Sequence, residues 1–60
     1  SAITRVLSDN GLNITEATCR TEDAGRAVNV LRIRVSDLDD LRTAIRGVAK
    51  IPGVGDVARI

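Results

Sequence analysis

The stretch from Ala27 to Val35, AVNVLRIRV, carries the longest unbroken two-residue alternation in the chain. Leu31, Ile33 and Val35 fall on one side of it, and Val28, Val30, Arg32 and Arg34 on the other. A period of two belongs to a β-strand. One row is wholly apolar and requires a core, while the other changes from valine to arginine along its length, as a half-exposed strand does. The remaining segments must cover this strand or pair with it.

The means for doing so are limited. Sixty residues make one domain, and a chain of that size buries only about 60% of the surface it exposes when unfolded. There is no Phe, Tyr, Trp or Met, so the core is aliphatic. A single cysteine excludes an internal disulfide, and no histidine is present to join Cys19 in a zinc site. Partner subunits or adjoining chain are expected to contribute to stability. The net charge of +1 excludes a strong electrostatic footprint for nucleic acid or anionic membrane. No apolar run approaches the length of a membrane span or a signal peptide, so the chain reads as cytoplasmic. It lacks an initiator Met, and the helical pattern at Ala2, Ile3, Val6 and Leu7 has nothing before it to start a helix. The expectation is a piece of a longer protein.

In chain order, Ser1 to Asn10 has the spacing of a short amphipathic helix that stops at Asn10-Gly11, where glycine can take the left-handed conformation that closes a helix. Leu12 to Thr21 favours a strand, with a shift of apolar phase between Ile14 and the Ala17, Cys19 pair that a bulge or a strong twist would explain. The polar segment Thr21 to Arg26 reads as the turn of a hairpin. Ser36 is the expected N-cap of a second helix, with Asp37, Asp39 and Asp40 in its first turn and Leu38, Leu41, Ala44, Ile45 and Val48 as its apolar stripe. Ile51-Pro52-Gly53 ends it, and Val54 to Ile60 reads as a closing strand. The order is helix, strand, strand, helix, strand. With one strand in front it becomes the split βαβ arrangement, an antiparallel sheet with both helices on one face. The absent strand would then lie beside the Ala27 to Val35 strand, leaving a slot that adjacent chain or a second subunit should fill.

Nothing in this inventory points to catalysis: there is no His, no Tyr, and no base near the one cysteine in sequence. Cys19 is expected to be a small buried hydrophobe within its strand. The acidic group Asp37, Asp39 and Asp40 is explained by its place at a helix start, so no metal or cofactor is expected. Asn13-Ile14-Thr15 matches a glycosylation sequon, which has no use in a chain without a secretory signal. Arg20, Arg32 and Arg34 form either a solvated sheet face or an RNA or protein contact. Val28 and Val30 on the same face suggest a covered or dimeric surface. Asn13, just past the Gly11 helix stop, has two readings. Its amide closes the helix-to-strand turn through its own backbone, or it donates and accepts hydrogen bonds to a small zwitterion.

Taken together, the ITRVLSDNGLNI segment, the DLDDL helix start and the PGV..V.R ending resemble the ACT domains, small regulatory modules. The similarity covers residues 1–60 and is greatest to the C-terminal ACT domain of RelA/SpoT-type proteins, which make and degrade guanosine tetraphosphate and pentaphosphate. The resemblance implies an α+β, ferredoxin-like βαββαβ fold with its first strand absent here, leaving αββαβ. It also implies a regulatory role and no catalytic residue of the chain's own. It places a ligand site at Leu12, Asn13 and Ile14, with branched-chain amino acids as candidate effectors. Expected partners are a second copy in a homodimer, a partner domain of the same polypeptide, or ribosomal RNA reached through the parent protein, and no membrane. The alternative is the feedback domain of an amino-acid metabolic enzyme, such as one of the phosphoglycerate dehydrogenase type.

Overall fold

The computed structural model describes residues 1–60. Helix α1 (Ala2–Asp9) and helix α2 (Leu38–Ala49) flank a hairpin of strands β1 (Asn13–Thr21) and β2 (Ala27–Arg34). The two strands pair antiparallel, and the apolar faces of both helices pack on Ile14, Leu31 and Ile33 from one side of the sheet. This is the αββα part of a ferredoxin-like fold.

Local chemistry explains each boundary. Ser1 caps α1: its hydroxyl accepts from the Thr4 amide at 3.2 Å, and Thr4 answers in a capping box. The start that the apolar pattern alone did not supply thus comes from Ser1. At the other end Gly11 has φ +75°. The Leu12 amide donates to Leu7 O and the Gly11 amide to Ser8 O, both at 3.0 Å, which closes the helix in a Schellman motif. Helix α2 begins one residue later than its sequence suggests. Asp37, in extended conformation, is the N-cap, and its carboxylate accepts from the Asp39 amide at 2.8 Å. Ser36 and Asp37 are both able to cap; the backbone turns into the helix at the second, leaving Asp39 and Asp40 in the first turn.

The phase shift is a bulge. The register runs Asn13↔Arg34 and Ile14↔Ile33, then shifts to Glu16↔Arg32, so Thr15 is the extra residue. Its hydroxyl donates to Arg32 O at 3.2 Å. The shift keeps Ile14 and Ala17 on the same face despite their odd spacing. The turn at Asp23–Gly25 is tight: Ala24 and Gly25 both have left-handed φ, +67° and +73°, and the Glu22 amide reaches Arg26 O at 2.7 Å.

The core is small. Only Leu7, Leu12, Ala44 and Val48 are buried, with Ile3, Val6, Ile14, Leu31, Ile33 and Leu41 packed partly against them. Where the helices cross, Gly47 of α2 lies against Val6 of α1, so close that a Cβ there would sit 2.9 Å from Val6 Cγ1.

Two further expectations are corrected. Cys19 is exposed rather than buried. It stands opposite Asn29 in the outer half of the hairpin, where every residue from 15 to 27 is exposed because the hairpin runs on past the helices. Residues 54–60 do not form a strand. Val54 and Val57 still pack toward the core, but the segment has no neighbouring strand to supply a ladder, and strand structure requires one.

Candidate functional site

The Schellman closure of α1 decides where Asn13 lies. With Leu12 drawn into the core as the residue after Gly11, the chain enters β1 with Ile14 facing the helices and Asn13 on the opposite, outer face. Leu12 is buried and Ile14 half-buried, so both offer backbone rather than side chain to anything arriving from the outer face. Asn13 is exposed. Its amide takes no part in the side-chain hydrogen bonds of the chain. The helix end is held instead by Asn10, whose Nδ2 donates to Val6 O at 2.8 Å. Of the two readings of Asn13, turn closure therefore has no hydrogen bond behind it.

The register adds a neighbour that sequence reading did not connect to this position. Arg34 stands directly opposite Asn13 across the ladder and shares its face. An amide with both donor and acceptor character thus lies beside a guanidinium that can bind a carboxylate in bidentate fashion. Glu16 and Arg32, the next pair on that face, are joined at 3.4 Å. The arrangement suits a small molecule carrying a carboxylate and an ammonium group. Only the pairing register reveals the Asn13 and Arg34 juxtaposition; the residues are 21 positions apart, and the Thr15 bulge between them defeats simple counting.

The basic strip is largely internally compensated. Arg20 pairs with Glu22 at 3.6 Å and Arg32 with Glu16, all four side chains well exposed. Such pairs contribute little stability, about 0–1 kcal/mol, but they offset two of the three arginine charges that a phosphate backbone would meet. Arg34 is the member of the three without a carboxylate partner. Val30, between the two ion pairs on this face, is exposed, and Val28 is half-buried.

A second feature lies along the other edge of β2. A cleft of about 1600 Å³ opens between β2 and residues 53–60, with Leu38, Leu41 and Ile45 of α2 and Ile3 and Leu7 of α1 forming its floor. Leu38, assigned to the apolar stripe by its spacing, is 52% exposed because it projects over this cleft. No helix is long and apolar enough to cross a membrane.

Comparison with known proteins bears out the family resemblance. Residues 1–59 match the family model described as ACT domain. Over 58 residues, 97% of the chain, it is 40% identical to a protein of Myxococcus xanthus named GTP pyrophosphokinase. The chain spans 8% of that relative's length. No solved structure matches it.

Proposed function

From the premise that the chain belongs to the ACT domain family, we propose that it is the regulatory domain of a RelA/SpoT-type enzyme, one that senses an amino acid or the state of a partner and adjusts a distant catalytic domain that makes or degrades guanosine tetraphosphate and pentaphosphate. The observation that carries this reading is the 40% identity, over nearly the whole chain, to a segment making up 8% of a GTP pyrophosphokinase. The effector is a small amino acid with a branched apolar side chain. Its carboxylate meets Arg34, its ammonium group meets the Asn13 carbonyl oxygen, and the exposed edges of Leu12 and Ile14 backbone frame it.

The coupling is thermodynamic. An effector held at Asn13 and Arg34 biases the parent only if it binds one arrangement of the domain and its neighbours better than another, and it shifts their populations by that difference alone. Asn13 and Arg34 sit at the mouth of the hairpin, where α1 gives way to β1 and β2 leads toward α2. A ligand bridging the two strands there stiffens the point from which both helices depart.

Backbone amide shifts recorded while the chain is titrated with valine, isoleucine, leucine and serine provide the test. The expected result is a cluster of shifts at Leu12, Asn13, Ile14 and Arg34 with the branched-chain amino acids, absent in Asn13→Ala. A response to serine alone would favour the feedback domain of a metabolic enzyme. No response to any of the four would defeat effector sensing by this chain and turn attention to contact with ribosomal RNA, recognisable by an affinity that falls steeply with salt.

A further inference from the structure

Asn10 is followed by glycine, whereas the other two asparagines, Asn13 and Asn29, are followed by Ile14 and Val30. The difference bears on the chemistry of the side-chain amide. The backbone nitrogen of the next residue can attack the asparagine Cγ and close a five-membered imide; a β-branched neighbour shields that nitrogen, and glycine leaves it bare. At Gly11 it is bare in space as well as in sequence, since the residue is exposed and nothing lies within 4 Å of where a Cβ would stand. Water and base therefore reach the Asn10-Gly11 link. By sequence and access it is the most reactive side-chain amide of the chain.

The fold holds it unreactive in three ways. Asn10 Nδ2, the group that would leave, donates to Val6 O at 2.8 Å. The Gly11 N–H, which would have to give up its proton, donates to Ser8 O at 3.0 Å, and a hydrogen bond made by the protonated form opposes that loss. Backbone stereochemistry is the third. Asn10 has ψ +13°, so the Gly11 nitrogen lies nearly eclipsed with Asn10's own nitrogen. The imide ring needs it eclipsed with Cβ instead. Rotating ψ to that position pulls the Gly11 amide from Ser8 O and the Leu12 amide from Leu7 O, the two bonds of the Schellman closure. Ring closure and helix closure exclude each other.

We infer that Asn10-Gly11 is a latent deamidation site, kept intact by the C-terminal closure of α1 and modified whenever that turn opens. In the open turn the Gly11 nitrogen gives its proton to hydroxide and bonds to Asn10 Cγ; the Cγ–Nδ2 bond breaks, and Nδ2 takes a proton from water and leaves as ammonia. Water then opens the imide. Addition at the side-chain carbonyl carbon breaks the new bond to Gly11 N and leaves aspartate. Addition at the main-chain carbonyl carbon breaks the original peptide bond and leaves isoaspartate, with the chain running through the former side chain. Neither product restores the turn. The donor to Val6 O is gone, and a new carboxylate beside Asp9 stands at the negative end of the helix dipole. Isoaspartate also adds a methylene to the backbone, which displaces Leu12 from its buried position. The site is a slow, one-way switch at the junction that sets where Asn13 lies.

The test follows the 60-residue chain at mildly alkaline pH by peptide mapping and mass spectrometry, with fragmentation that separates aspartate from isoaspartate, beside a free peptide of residues 6–14. The expected result is conversion of Asn10 at least about tenfold slower in the chain than in the peptide, a factor set by how rarely the last turn of α1 opens. Both products should form, and Asn13 and Asn29 should stay intact. In strong urea the chain should match the peptide. Ser8→Gly, which weakens the last turn without touching the reacting atoms, should speed conversion about twofold in the chain and leave the peptide rate unchanged. A chain that converts as fast as the peptide, or at a rate that neither urea nor Ser8→Gly alters, would overturn the assignment. So would conversion at Asn13 or Asn29 ahead of Asn10, or aspartate as the sole product, which would mean direct hydrolysis without the ring.

Discussion

Gly47→Ala sets helix propensity against packing at one atom. Glycine inside a helix is about 1 kcal/mol less favourable than alanine, so at an uncrowded site the substitution would stabilise α2 by that amount. Here the new Cβ would stand 2.9 Å from Val6 Cγ1, well inside the roughly 3.5–4.0 Å of carbon contact. Valine has essentially one χ1 rotamer in a helix, so Val6 cannot swing aside. The two helices must separate, and overpacking of this kind costs about 1–3 kcal/mol. The expected net effect is a loss of about 1 kcal/mol. With Val6→Ala as background the obstructing methyl is gone, and Gly47→Ala should become stabilising by about 1 kcal/mol on propensity alone. The double-mutant cycle therefore predicts a coupling of about 2 kcal/mol. With no tryptophan or tyrosine in the chain, urea unfolding is followed by far-ultraviolet circular dichroism. If Gly47→Ala stabilised both backgrounds equally, Val6 would not be what limits the approach of the helices, and the reasoning would fail.

Two further substitutions probe the backbone. Ala24→Gly should raise stability by about 0.5–1 kcal/mol, because Ala24 holds φ +67°, a conformation that strains a residue with a Cβ and not glycine; a destabilised variant in the same unfolding assay would contradict the turn geometry. Asp37→Ala should cost about 1 kcal/mol through loss of the cap to the Asp39 amide, while Ser36→Ala should change stability by less than about 0.5 kcal/mol. The reverse ranking would move the helix start back to Ser36.

The correct readings and the corrected ones divide by range. The Gly11 stop, the phase shift at the Thr15 bulge, the polar turn before Arg26 and the stripe of α2 depend on residues within a few positions of one another. They were legible because cap chemistry, glycine conformation and side-chain period act over one or two turns. The one-residue error at Ser36 and Asp37 has the same local origin: both side chains can cap, and propensity does not rank them. Asn13 was legible as a candidate from its position after the helix stop. Its neighbour Arg34 was not, since their adjacency depends on strand register, and a bulge alters register without altering composition.

What the sequence determined by itself, then, is the helix, hairpin and second helix and the family, because each rests on local pattern and on motifs that stand together in the chain. Tertiary structure decided the rest: that Cys19 lies bare on a hairpin outrunning its helices, that Gly47 meets Val6, that Leu38 is left over a cleft, and that residues 54–60 stay unpaired. Burial and strand pairing are properties of what lies opposite a residue, and a strand with apolar residues becomes a strand only where another backbone meets its donors and acceptors.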